Sequence, residues 1–349
     1  LSTVCGAVDD LAAAELSATQ KVSALVFAQP SSAEQDSVVR IERSRPDGTV
    51  DRCSGTLIAT NLVVTARHCL SERRPGAATC QVSHGGSSAA EIVSKFVSNY
   101  AAQDIAVYTG GQIDGRAPDA RGARIITDTS EVLCKYDVAL LVLDRNLTRV
   151  PLARVRTTPP QASESVTVVG WGMTEDRTFP RARLQKSDVK ITAVGPTIYP
   201  DAMGTVATFA HEFHTQRSAC GGDSGGPAFD ANGALVGVVS RVFTRGSRVN
   251  DCMGTVVFSI PADHVKLLTA GISQALEEGG DLGETSVAEL LAHPSDVDSV
   301  TSDDASATDS ATEGCSLSPA RPDGFAATVS GLLPLLLGLL LASVSRRRR

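Results

Sequence analysis

From Val22 onward the apolar residues fall in short runs broken by Gly, Pro, Asn and Asp, a pattern that predicts strands. The runs at 38–43, 56–60, 62–65, 138–143, 165–170, 189–192, 235–240 and 255–260 are mostly too short for helices. Short strands scattered over roughly 240 residues suit closed antiparallel barrels or sandwiches, so the body reads as all-β. The rhythm changes after Pro261, where Val265, Leu267, Leu268, Ile272 and Leu276 recur at helical spacing and stop near Gly279 and Gly280. One closing helix is expected there. Residues 11–20 (LAAAELSATQ) are Ala-rich and predict a short helix ahead of the β body.

Beyond the closing helix the pattern loses its apolar face. Residues 295–312 hold almost only Ser, Thr, Asp, Ala and Val, too little apolar surface to pack a core, which predicts a flexible spacer. Residues 325–344 then carry no charge and are followed by Ser345 and four arginines. Twenty such residues span a bilayer, and the arginines place the carboxyl end on the cytoplasmic side. These shifts divide the chain into an N-terminal segment (1–21), a folded body (22–272), an acidic linker (273–314) and an anchor-like tail (315–349).

Charge sharpens this division. The formal net charge is −7, but eleven Asp or Glu and no Lys or Arg lie between Leu267 and Ala320. Setting those eleven aside leaves 28 acidic against 32 basic residues. The body is near neutral and has no basic surplus that would point to nucleic acid. Eight cysteines show no paired CxxC spacing of the kind that builds zinc sites, so disulfides are expected. Disulfides persist in an oxidising compartment, and the sequence opens at Leu1 rather than Met, which predicts an exported protein whose signal has been removed.

Three segments carry candidate chemistry. In CGGDSGGP, residues 220–227, glycines flank Ser224 so that a tight turn presents its hydroxyl beside the N–H groups of Gly222 and Ser224, an oxyanion hole. In TARHC, residues 65–69, an apolar run delivers His68, whose imidazole can accept the serine proton and suits a general base. In YDVALL, residues 136–141, Asp137 stands at the mouth of an apolar strand, where a carboxylate needs a partner such as an imidazole.

TARHC, DVALL and GDSGGP in this order resemble the signature segments of the chymotrypsin and trypsin superfamily of serine proteases. The run CSGTLI (53–58), the GWG at 170–172 and the VVS at 238–240 match as well, and the resemblance covers about residues 22–271. It implies two six-stranded antiparallel β-barrels with the active site between them and a C-terminal helix. It also implies peptide-bond hydrolysis by His68, Asp137 and Ser224 through an acyl-enzyme, Ser240 hydrogen-bonded to Asp137, and disulfides Cys53 to Cys69 and Cys220 to Cys252. Protein or peptide substrates are then the expected partners, and the chemistry requires no cofactor or metal. The other class of function is a catalytically silent homologue that binds a surface through the same fold. Such proteins usually lose a triad member, and here all three remain.

Departures from the family pattern carry their own expectations. His68 and Asp137 lie 69 residues apart, which predicts an inserted loop within 71–123. Arg67 replaces the usual alanine and puts a charge near the site. No IVGG stretch is present, but Lys21 and Val22 stand at about the right distance for an activating cleavage, whose new Val22 amine would pair with Asp223. Ser218, six residues before Ser224, is the expected pocket floor where trypsin-like enzymes carry aspartate, and Val242 is the expected wall. Together they predict cleavage after small or medium apolar residues. Cys134 has Cys80 or Cys5 as its partner. His211 and His214 (HEFH) have the spacing of a helical metal pair, but a loop near the pocket is the better reading.

The tail resembles the MYXO-CTERM sorting signal of myxobacterial surface proteins, on Gly314, Cys315 and Ser316, a short spacer, the apolar span and the arginine block. That resemblance implies a sorting enzyme, Cys315 as the anchoring position, and membrane attachment of an extracytoplasmic catalytic domain. An uncleaved single-pass anchor is the alternative.

Overall fold

The computed structural model describes residues 28–286 except 75–79, 86–87, 175, 202–203, 244–251, 253 and 285. The predicted helix at 11–20, Val22, Cys315 and the apolar run 325–344 lie outside the described residues. Among the described residues no helix is long and apolar enough to cross a membrane.

Six strands close the first barrel: β1 (Val38–Ser44), β2 (Val50–Ala59), β3 (Leu62–Thr65), β4 (Ile105–Tyr108), β5 (Ala120–Thr127) and β6 (Ala139–Leu143). Their order around the ring is β5, β6, β3, β2, β1, β4, with β4 pairing back to β5. Six more build the second: β7 (Ser165–Gly170), β8 (Leu184–Val194), β9 (Glu212–Thr215), β10 (Pro227–Phe229), β11 (Leu235–Phe243) and β12 (Thr255–Ser259). There the order is β8, β7, β10, β11, β12, β9, and β9 closes onto β8. All these pairings are antiparallel, so the all-β architecture of two six-stranded barrels is present.

The sequence pattern explains the split between core and surface. In β1, Val39 and Ile41 are buried while Arg40 and Glu42 between and after them are partly exposed, the alternation of a strand with one face inward. β6 reads ALLVL and is buried throughout, because its outer face is covered by α2 (Val265–Glu277). A Cβ on Gly271 of that helix would run into Leu140, so the small residue lets α2 lie close on β6. Leu267, Leu268, Ile272 and Ala275 join the first barrel's core. Leu282 is buried there too, and Thr60 N–H donates to Asp281 O at 2.8 Å, so the packed body continues at least that far.

The core is shared between barrels: Val169, Phe229, Leu235 and Val238 of the second pack into the same cluster as β1 to β3 of the first. Arg183, fully buried, fastens the N-terminal approach by donating to Ser31 Oγ, Ser32 O, Val38 O and Asp36 Oδ1 at 2.7 to 3.1 Å. The extra length between His68 and Asp137 forms β-arms, Ser71–Arg73 with Phe96–Asn99 and Cys80–Gly85 with Ser88–Val93.

Candidate functional site

Register brings the first two candidate residues together. Ala139 of β6 pairs with Thr65 of β3, so Asp137, just ahead of β6, and His68, just after β3, stand at the same end of adjacent strands. A short helical turn, α1 (Arg67–Leu70), follows extended Ala66 and turns the His68 ring toward the carboxylate. Asp137 is fully buried and makes three bonds: His68 Nδ1 to Oδ2 at 2.8 Å, His68 N–H to Oδ1 at 2.9 Å, and Ser240 Oγ donating to Oδ2 at 2.7 Å. Burial alone would push this carboxyl up, but the His68 ring and the two further donors outweigh it and hold the group below the ordinary carboxylate value.

Ser224 is delivered by the glycine-rich turn of the second barrel. Gly222 and Gly225 adopt φ of +98° and +80°, the left-handed region that residues with a Cβ avoid. Ser54 of β2 grips the turn, its N–H donating to Ser224 O at 2.8 Å and its Oγ to Gly222 O at 3.1 Å. A Cβ on Gly225 would strike the Thr65 side chain and Ala66 N, the junction that launches His68. Cys69 Sγ lies 3.6 Å from Ser224 O. The Ser224 and His68 turns are thus in direct contact.

Asp223 contrasts with Asp137. It is also fully buried, and among the described residues its oxygens accept from main-chain groups, Gly172 N–H at 2.7 Å and Cys220 N–H at 2.9 Å. Burial dominates and pushes its carboxyl up to about 7. Gly170 and Gly172 explain the GWG segment, since a Cβ on either would collide with this carboxylate.

The expected pocket residues cluster in the second barrel. Ser218 is fully buried and its Oγ is 2.7 Å from Thr215 Oγ1. Thr215 is paired across β9 and β12 with Val256, and Val256 is paired across β12 and β11 with Val242. Sequence reasoning missed Val256, which reads only as one more apolar strand residue. It also missed Glu212 and Arg241, joined by two bonds of 2.7 and 2.8 Å.

Arg67 is bonded to the loop ahead of Asp137. Its guanidinium donates to the carbonyls of Asp128 and Ser130 and lies 4.3 Å from the centroid of the Phe96 ring, so it braces the loop ahead of Asp137. The HEFH segment is neither helix nor loop: β9 begins at Glu212, His214 Nδ1 is 2.6 Å from Thr208 Oγ1, and His211 Nδ1 is 3.2 Å from Asp263 Oδ2. The two histidines thus have separate partners. Disulfides join Cys53 to Cys69, Cys80 to Cys134 and Cys220 to Cys252. The close group Cys53, His68 and Cys69 therefore offers no thiolate to a metal.

Comparison with known proteins finds a match to the family model described as Trypsin over residues 27–259. Hypodermin-B of Hypoderma lineatum is 31% identical over 201 residues, 54% of this chain and 66% of that protein. Trypsin iota of Drosophila melanogaster is 29% identical over 201 residues, covering 54% and 67% respectively. Trypsin-2 of Salmo salar is 28% identical over 196 residues, covering 54% and 72%. The aligned region thus spans about two thirds of the length of these relatives.

Proposed function

From the premise that the chain belongs to the trypsin family, we propose that it is a serine endopeptidase in which Ser224 is the nucleophile, His68 the general base and acid, and Asp137 the group that orients His68. The observation that carries this reading is the Asp137 carboxylate, buried and bonded at once to His68 Nδ1, His68 N–H and Ser240 Oγ. With Nδ1–H donated to Asp137, the imidazole is fixed in the tautomer that leaves Nε2 free to accept a proton.

The reaction follows from these roles. Ser224 Oγ bonds to the scissile carbonyl carbon as its proton passes to His68 Nε2, and the negative charge on the carbonyl oxygen is met by the N–H groups of Gly222 and Ser224. The imidazolium, stabilised by ionised Asp137, then protonates the departing amine as the C–N bond breaks. Water, deprotonated by the same Nε2, releases the acyl group. The reading is tested by hydrolysis of a peptide library with the wild type and Ser224→Ala. Cleavage that disappears in the variant supports it, and equal cleavage by both rejects it.

Ser218 supports a preference for small or medium apolar residues at the cleaved position, since its hydroxyl supplies no charge to hold Arg or Lys. Val242, at the expected wall, narrows the slot. A library profile dominated by Arg, Lys or Asp would overturn this specificity. Activation is proposed to follow cleavage after Lys21 by an activating protease, with the Val22 amine neutralising Asp223. Active enzyme whose N-terminus is Leu1 would rule that out. The disulfides fit an exported protein. For the C-terminal region we propose membrane attachment through the apolar span, with Cys315 as the anchoring position for a sorting enzyme. Mass spectrometry of the mature C-terminus tests it, an intact arginine block counting against processing.

A further inference from the structure

Lys135, two residues ahead of Asp137, has φ of +83°, a left-handed backbone that a residue with a side chain adopts at a cost. Its surroundings hold it there from several sides. Its N–H donates to Glu212 Oε1 at 2.9 Å, and the His264 ring hydrogen-bonds its main chain. Cys134 before it is fixed by the disulfide to Cys80. Tyr136 after it packs on the rings of His211 and His264, with centroids 6.2 and 5.9 Å away.

Glu212 is the hub of this arrangement. It is fully buried, and besides Lys135 N–H it accepts from Phe209 N–H at 2.9 Å and from both terminal nitrogens of Arg241 at 2.7 and 2.8 Å. Arg241 directly follows Ser240, whose Oγ bonds Asp137. One buried carboxylate therefore fastens two segments that converge on the Asp137 side chain, its own approach and the strand of Ser240. A buried ion pair adds little net stability over an apolar replacement, so its use here points to geometry rather than strength. Strained backbone held by surrounding bonds is typical of sites where position matters.

We infer that Glu212, paired with Arg241, is a positioning residue for Asp137: it holds the left-handed Lys135 turn and the Ser240 strand in register so that the carboxylate meets His68. The inference rests on the proposed role of Asp137 as the group that orients His68. It concerns geometry, so it is read first by a signal that does not require turnover, the downfield proton resonance of His68 Nδ1–H bonded to Asp137. Glu212→Gln keeps the size and one acceptor but loses the charge pairing. In this variant the resonance is expected to move upfield or exchange-broaden, with kcat falling about tenfold and KM little changed. Adding Lys135→Gly, which adopts positive φ without strain, is expected to restore the resonance and part of kcat. If Glu212→Gln is too unstable to fold, Arg241→Lys, which keeps the charge but loses the paired bonds, is expected to show the same change in milder form. A resonance and kcat unchanged in the folded variant, or a loss that Lys135→Gly fails to relieve, would overturn the inference. Absence of hydrolysis by the wild type with its resonance intact would count against the proposed function and leave the resonance test decisive for the clamp.

Discussion

Two fully buried aspartates, one bonded to His68 and one directly preceding Ser224, are treated oppositely. Asp137 has an imidazole and a hydroxyl beside it and is held below the ordinary carboxylate value, whereas Asp223, among the described residues, has two main-chain amides and is pushed up to about 7. Depth is the same for both, so the difference lies in partners. A carboxylate given a histidine and two further donors stays ionised, as an orienting counterion must. One given amides alone binds a proton or awaits a cation.

The largest effect that sharpens this contrast is expected from Asp137→Asn. It should leave the fold in place yet lower kcat by about 10⁴, because the amide favours the wrong His68 tautomer. Steady-state kinetics with a far-ultraviolet circular dichroism control checks it, and a loss below tenfold would remove the distinction between the two aspartates.

Next comes the pH dependence of stability in the uncleaved chain. A folded pKa raised from 3.8 to about 7 means the folded state keeps a proton that the unfolded state has released. Stability contributed by Asp223 therefore falls as pH rises from about 4 to about 7, by roughly 4 kcal/mol in all. Asp137 acts with the opposite sign: its contribution is present above the ordinary carboxylate value and is lost as pH falls through the depressed one. Urea midpoints across this range should decline for the wild type and flatten in Asp223→Asn. A wild-type curve already flat between pH 4 and 7 would show that Asp223 has a cationic partner before cleavage.

Smaller effects should follow at the margins. Ser240→Ala removes one donor from Asp137 and is expected to cost about 1.5 kcal/mol, read as a roughly tenfold loss in kcat/KM and an upward move of the Asp137 titration. Arg67→Met should leave kcat within about twofold and lower stability by about 1 kcal/mol, since it braces the carbonyls of Asp128 and Ser130 rather than the site. A large kcat loss with unchanged stability would return Arg67 to the site.

Much of the fold was legible because the apolar runs of β1, β3, β6, β7 and β11 are driven by local pattern. β9 was not, because EFHT is polar in composition yet wholly buried, its side chains satisfied by partners distant in sequence. β5 was hidden by the two arginines and glycine of ARGARIIT. At the site, His68, Asp137 and Ser224 each announced themselves through a short segment. Glu212 and Arg241 did not: 29 residues apart, they meet only where the fold brings their strands together. Val256 was hidden for the same reason, since only the pairing of β9, β12 and β11 sets it beside Val242 and Thr215.

The nucleophilic role proposed for Ser224 is measured most directly by reaction with a fluorophosphonate followed by peptide mapping. The expected result is one covalent adduct, on Ser224, that is lost in Ser224→Ala and strongly slowed in His68→Ala. An adduct on another residue, or undiminished labelling in Ser224→Ala, would contradict it.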